Sequence, residues 1–221
     1  MFENREDAAL QLASPLKIRK LKDPLVLGIP RGGVVTAAIL ARELGGELDV
    51  VLSRKLRAPY QPELAIGAIG EDGEVYLSPF ARAVPGVNEE YIRKERDHQI
   101  AEIERRRKLF RAVKPAADVS GRSVVVTDDG IATGSTMLAA LHVLNARKPN
   151  EIIVAVAVAP PDTIEKIRPM CSHVECLLAP AYFAAISQFY SDFRQIEDEE
   201  VVLLLRGEQP PHEAVKARAQ T

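Results

Sequence analysis

Several features that would assign a chain to a specialised class are scarce in this sequence of 221 residues. Two cysteines are too few for a disulfide-rich framework, and a net charge of −2 gives no overall attraction to nucleic acids or anionic membranes. The longest apolar runs, near residues 152–159 and 201–205, are too short to span a bilayer. The charged first residues lack the apolar segment of a signal peptide, so the sequence predicts a cytoplasmic protein without a membrane partner.

The most informative stretch of the chain is residues 122–136. Its apolar run, residues 124–126, predicts a strand that is buried on both faces. Asp128 and Asp129 follow, and a loop of glycine and hydroxyl side chains then leads into a helix that begins near Ser135. Backbone N–H groups and the positive end of the helix dipole converge in such a loop, which predicts a phosphate site. The two carboxylates suit a neutral group with vicinal hydroxyls or a bound cation.

The loop sequence distinguishes between kinds of phosphate site. It lacks the lysine of a P-loop and the glycine spacing of the dinucleotide fingerprint. It resembles the phosphoribosyl diphosphate (PRPP) signature of the type I phosphoribosyltransferases, an apolar strand followed by Asp-Asp-x-x-x-Thr-Gly-x-Thr. An ordinary helix cap after a buried strand is the alternative. The resemblance implies that PRPP is bound by Asp128, Asp129, Gly130, Ile131, Ala132, Thr133, Gly134, Ser135 and Thr136.

A second strand–glycine–helix segment occurs at Pro30-Arg-Gly-Gly33, after a predicted strand at residues 25–29. Adjacent glycines allow the backbone to approach an anion, and an arginine adds a fork of donors. The resemblance implies that Arg31, Gly32 and Gly33 cradle the diphosphate leaving group. A tight turn with a surface arginine is the alternative.

Basic residues follow the next predicted strand, residues 48–52. Arg54 and Lys55 are candidate catalytic residues, because the resemblance places a basic residue there against the diphosphate. The irregular segment 58–62 is expected to close over the site, and a solvated charge cluster is the alternative.

The predicted fold class is α/β: a single domain over residues 1–221 with a three-layer, doubly wound, mainly parallel sheet of five strands. Residues 65–69 and 74–77 predict a two-stranded ribbon. Residues 78–118 are a helical insertion whose helix, 88–112, is nearly charge-balanced, so a solvated helix is favoured over nucleic-acid binding. A last helix is predicted at 197–205, and the end from Gln209 onward is expected to be loose.

Residues 178–206 are predicted to form a hood on the acceptor side of the site. Five of the eleven Phe and Tyr residues of the chain lie between 182 and 193. Phe183, Phe189 and Tyr190 are candidates for stacking on a planar base, and ordinary core packing is an equal alternative.

The resemblance extends over most of the chain and implies an activity. PRPP would donate its 5-phosphoribosyl group to a nitrogenous base, with Mg²⁺ bound mainly through PRPP and in addition by Asp128 and Asp129. Ala132 stands where hypoxanthine/guanine enzymes carry an aspartate, which argues against 6-oxopurine chemistry. A PRPP or nucleotide sensor without turnover and a nucleotide or PRPP hydrolase are the alternatives. The acceptor base, the pathway and a homodimeric assembly are left open.

Overall fold

A five-stranded parallel sheet forms the centre of the computed structural model, which describes residues 1–208. The predicted loose end from Gln209 lies outside these residues. In chain order the helices and strands are α1 (Arg5–Lys17), β1 (Leu25–Gly28), α2 (Gly32–Leu44), β2 (Glu47–Val50), β3 (Ser53–Ala58), β4 (Gln61–Gly70), β5 (Val75–Leu77), α3 (Glu89–Arg111), β6 (Ser123–Asp128), α4 (Ser135–Ala146), β7 (Glu151–Val158), α5 (Pro161–Ile167), β8 (His173–Leu178) and α6 (Asp198–Leu205).

The strand order in the main sheet is β2-β1-β6-β7-β8, and every neighbouring pair is parallel. Alternate residues of β6 contact opposite layers: Val124 and Val126 pack toward α4 and α5, whereas Val125 packs toward α1 and α2. The predicted three-layer α/β fold is therefore confirmed. The chain reverses its direction of progress across the sheet between β1 and β6, which is where doubly wound sheets bind ligands.

A smaller antiparallel sheet, β3-β4-β5, extends the predicted two-stranded ribbon by one strand. The expectation of an irregular closing segment at residues 58–62 is wrong, because β3 ends at Ala58 and β4 begins at Gln61. A hairpin turn joins them, with Tyr60 at φ +62°. Strand β3 was not predicted, because its charged residues obscure the apolar pattern of a strand, yet its Leu56 and Ala58 side chains are buried.

Helix α3 forms as the sequence predicts, with the Asn88 side chain accepting a hydrogen bond from the backbone N–H of Tyr91 at 2.8 Å. It packs on β3, β4 and α6, so the predicted insertion, residues 78–118, lies beside the small sheet and the last helix. No helix within residues 1–208 combines the length and the apolar character needed to cross a membrane.

Candidate active site

The site lies where the loops after β1 and β6 meet. These two strands are neighbours, with Gly28 paired to Thr127, so the loops that follow them leave the sheet side by side. The peptide bond between Pro30 and Arg31 is cis. A Cβ atom on Gly32 would lie 2.0 Å from Asp129 Oδ2, and one on Gly33 would lie 2.8 Å from the Cα of Asp128. The two glycines are therefore needed for the close approach of the loops.

Two adjacent carboxylates stand at the end of β6. Asp129 is buried and Asp128 is half-buried, and Asp128 Oδ1 accepts a hydrogen bond from the backbone N–H of Asp129 at 2.9 Å. Burial raises the pKa of Asp128 well above its usual range, and the negative charge of Asp129 raises it further. Burial also raises the pKa of Asp129, although Arg5 opposes that effect. Ionising both carboxyl groups is therefore costly in the free protein, and binding of a cation or a hydrogen-bond donor would stabilise their ionised forms.

Arg5, from the first turn of α1, is the cation that compensates this pair. Its Nε donates to Asp129 Oδ2 at 2.9 Å, and its Nη2 lies 2.9 Å from the same oxygen. Its Nη1 donates to the carbonyl of Arg194 at 2.9 Å, and its Cζ lies 4.0 Å from the centre of the Phe193 ring. The first helix and the hood segment are joined through one guanidinium. Nothing local in the sequence points to Arg5, because 124 positions separate it from Asp129 and no pattern connects them.

The loop between β6 and α4, which is predicted to bind a phosphate, is packed against the protein on one side and exposed to solvent on the other. Ile131 is buried, and Thr163 Oγ1 of α5 donates to the carbonyl of Ala132 at 2.8 Å. Gly134 precedes the helix at φ +80°, a conformation that favours glycine. The exposed hydroxyl of Thr133 lies 3.2 Å from that of Ser135 at the N-terminus of α4. Hydroxyls and helix N–H groups are therefore presented together, as a phosphate requires.

A cavity of about 440 Å³ lies between the two loops and the hood segment. Its size is within the range of small-molecule sites. The structure brings the predicted Arg31, Gly32, Asp128 and Asp129 together in its lining, which comprises Arg5, Arg31, Gly32, Asp128, Asp129, Phe193, Arg194, Gln195 and Ile196.

The three predicted base-stacking aromatics do not line this cavity, and their role in binding a base stays a prediction. Tyr190 is buried against Phe2 and Phe193, with ring centres 5.4 and 4.9 Å away, and its hydroxyl donates to the backbone carbonyl of Asp129 at 2.5 Å. Burial raises the pKa of that hydroxyl. Phe183 and Phe189 pack on each other at 5.4 Å. In the described part of the chain the aromatic that lines the cavity is Phe193, which sequence analysis did not select.

The predicted basic residues of β3 are not among the residues that line the cavity. Arg54 is exposed, and its Nε donates to Gln99 Oε1 of α3 at 3.2 Å, while Lys55 is half-buried. Arg31 does line the cavity, and its Nη1 lies 2.7 Å from Glu197 Oε2, at the start of α6. The catalytic assignment of Arg54 and Lys55 stays a prediction.

Comparisons with known proteins agree on one family. A family model described as "Phosphoribosyl transferase domain" matches residues 5–194. A Mycobacterium tuberculosis protein named "Putative phosphoribosyl transferase" is 40% identical over 205 residues, covering 93% of this chain and 46% of that protein. The chain therefore spans about half the length of the curated relatives that it matches at this identity. "Uracil phosphoribosyltransferase" of Acinetobacter baylyi is 31% identical over 141 residues, covering 64% of this chain and 63% of that protein.

One solved structure is similar over almost the whole chain. The crystal structure of TT1426 from Thermus thermophilus is 42% identical in sequence and has a TM-score of 0.90. The match covers 95% of this chain and 99% of that chain.

Proposed function

This chain belongs to the phosphoribosyl transferase family, and on that premise we propose that it transfers the 5-phosphoribosyl group of PRPP to a nitrogenous base and releases diphosphate. The observation that carries the proposal is the meeting of the two loops around the acid pair. Gly32, Asp128 and Asp129 line one cavity, and the N-terminus of α4 lies just beyond the acids. The N-terminus of α4, the acid pair and the loop after β1 can therefore bind, in that order, a phosphate, a diol and a diphosphate.

Each part of PRPP has a proposed set of partners. Backbone N–H groups of residues 132–136 and the dipole of α4 bind the 5-phosphate. Asp128 and Asp129 accept hydrogen bonds from the ribose 2- and 3-hydroxyls. The backbone of Gly32 and Gly33 and the guanidinium of Arg31 bind the diphosphate. Arg54 and Lys55 of β3 add positive charge for the leaving diphosphate.

Mg²⁺ fits the residues present, because it prefers oxygen ligands and keeps several waters. Within residues 1–208, no three His, Cys, Asp or Glu side chains form a cluster that could hold a metal ion. We therefore assign Asp128 and Asp129 as the protein ligands, beside oxygens of PRPP itself. When bound, the ion would neutralise negative charge on the leaving diphosphate.

The chemical step is a displacement at the anomeric carbon of the ribose. A ring nitrogen of the acceptor forms the new bond to that carbon and loses its proton to water, and the bond to the diphosphate oxygen breaks, with its electron pair leaving on the diphosphate. Positive charge develops on the ribose in the transition state, close to the acid pair. Positioning and charge stabilisation by the fixed loops carry the rate enhancement.

The test is diphosphate release from Mg²⁺–PRPP, measured with adenine, hypoxanthine, guanine, xanthine, uracil or orotate and without acceptor. Uracil has priority, because two relatives are named uracil phosphoribosyltransferase. Release that depends on one base, and that is lost in Asp128→Asn, supports the transferase and names its acceptor. Release without any base would identify a hydrolase. Binding of PRPP without release in any reaction would identify a sensor.

A further inference from the structure

An arginine lies on the inward face of the inserted helix α3. Gln99, Ile103 and Phe110 form the buried side of this helix, and Arg106 is seven residues after Gln99 and three after Ile103, so it shares their face. Its side chain is 30% exposed, compared with 58% for Arg105 and 45% for Arg107. The sequence Arg-Arg-Arg-Lys at residues 105–108 therefore contains one arginine that is directed toward the interior.

Arg106 is close to other guanidiniums. Burial lowers its pKa, and although Asp198 opposes that effect, the positive charges of Arg105, Arg31 and Arg54 lower the pKa further. Arg54 is held against α3 by its hydrogen bond to Gln99. Three separate segments, the loop after β1, the strand β3 and the helix α3, thus place arginines near one another, and Arg31 among them lines the cavity.

Two carboxylates at the start of α6 neutralise only part of the positive charge of these arginines. Glu197 is paired with Arg31 at 2.7 Å, and Asp198 Oδ2 is paired with Arg105 Nη1 at 2.7 Å. Arg106 Nε is 3.8 Å from Asp198 Oδ1, which is too long for a hydrogen bond. This buried oxygen has no hydrogen-bond partner in the described part of the chain. The group therefore carries four positive and two negative charges, on Arg31, Arg54, Arg105, Arg106, Glu197 and Asp198.

We propose that Arg106 binds the diphosphate group of the substrate, and that Glu197 occupies Arg31 until the diphosphate displaces it. This inference rests on the proposed function and assigns to its diphosphate site a residue of the inserted helix. An arginine fork matches phosphate oxygens better than a single carboxylate oxygen at 3.8 Å. The excess of two positive charges complements a diphosphate that carries one Mg²⁺.

Stability provides a readout that separates this role from a structural one. A partly buried arginine without a close partner costs desolvation, and an apolar residue of similar volume is often neutral or stabilising in its place. Arg106→Met should therefore keep or raise the Tm while it weakens diphosphate binding. If Arg106 served mainly to stabilise Asp198 and α6, the same variant would lower the Tm.

The experiment is calorimetric titration of the full chain with diphosphate and with PRPP, both in excess Mg²⁺, together with thermal unfolding. Arg106→Met should bind diphosphate about tenfold or more weakly, the loss typical of a charge-assisted hydrogen bond. Arg107→Met is the matched control: the next residue of α3 points outward, pairs with Glu104 at 2.9 Å, and should leave affinity within about twofold. Glu197→Gln keeps an oxygen for the α6 cap and should bind diphosphate about two- to fivefold more tightly.

Several results would overturn the inference. Wild-type affinity in Arg106→Met, an equal loss in Arg107→Met, or a Tm several degrees lower in Arg106→Met would each refute the role of Arg106. If Arg106→Met does not fold, Arg106→Lys replaces it, and unchanged diphosphate affinity in that variant would refute the role of the guanidinium fork. Unchanged or weaker binding in Glu197→Gln would refute the displacement. A wild-type chain that binds neither PRPP nor diphosphate refutes the proposed function, whereas binding of both with no effect of Arg106→Met refutes this inference alone.

Discussion

Replacement of Arg5 by methionine tests how the acid pair of the site is held in place. In the wild-type chain, Asp129 is 9% exposed and shares its Oδ2 with two nitrogens of Arg5. The variant leaves this carboxylate buried beside Asp128 without its cation. Breaking a buried ion pair in this way costs about 3–5 kcal/mol of unfolding free energy. For a chain of this size, 1 kcal/mol corresponds to about 2–4 °C, so the Tm should fall by about 6–20 °C.

A double-mutant cycle isolates the pair from the other contacts of Arg5. Arg5→Met, Asp129→Asn and the double variant are unfolded in urea and followed by circular dichroism. Each single variant leaves one buried charge without its partner, whereas the double variant leaves neither. The double variant should therefore be about 2–3 kcal/mol more stable than the sum of the single effects predicts. Lys17→Met is the control on the same helix, since its exposed pair with Glu43 contributes about 1 kcal/mol at most.

The pH dependence of Arg5→Met has a defined sign. Arg5 lowers the pKa of Asp129 relative to a chain that lacks this guanidinium. Its contribution to stability is therefore present where the carboxylate is ionised and is lost as the pH falls and the carboxylate is protonated. The Tm deficit of the variant should shrink toward about pH 4. Additive single effects, within about 0.5 kcal/mol, or a deficit that does not change with pH would refute the reasoning.

Three further substitutions test neighbouring features. Asp128→Asn should weaken PRPP binding about tenfold or more in calorimetry. Because burial raises the pKa of Asp128, the variant should also have a higher Tm than the wild type at neutral pH. This gain in Tm should disappear below about pH 4, where the carboxyl group is protonated in both the folded and the unfolded chain. Gly32→Ala places a Cβ 2.0 Å from Asp129 Oδ2, and since Arg5 holds that carboxylate, titration with PRPP should show at least a tenfold loss of affinity. Tyr190→Phe keeps the ring packing but removes one hydrogen bond to a buried carbonyl, so thermal unfolding should show a loss of about 1 kcal/mol.

The sequence alone determined the parts of this protein that depend on neighbouring residues. Helix α4 begins at Ser135, where the sequence predicted a helix start, and β6 contains the predicted buried run 124–126, because runs of helix-forming or β-branched apolar residues set the local backbone. The phosphate loop was recognisable for the same reason, since Asp128 to Thr136 are contiguous. Strand β3 was missed, because its charged residues concealed Leu56 and Ala58, which are buried only once α3 and the small sheet are in place.

Only the tertiary structure decided which distant side chains meet at the site. Arg5 reaches Asp129 across 124 positions, and Arg31 reaches Glu197 across 166. Such pairs depend on the order of strands in the sheet and on the path of residues 178–206, which no local periodicity predicts. The same path placed Phe193 in the cavity and buried Tyr190 beneath the acidic loop. Local sequence set the backbone of the loop between β6 and α4, and the long-range packing of α1 and of the segment before α6 determined which charged side chains lie around it.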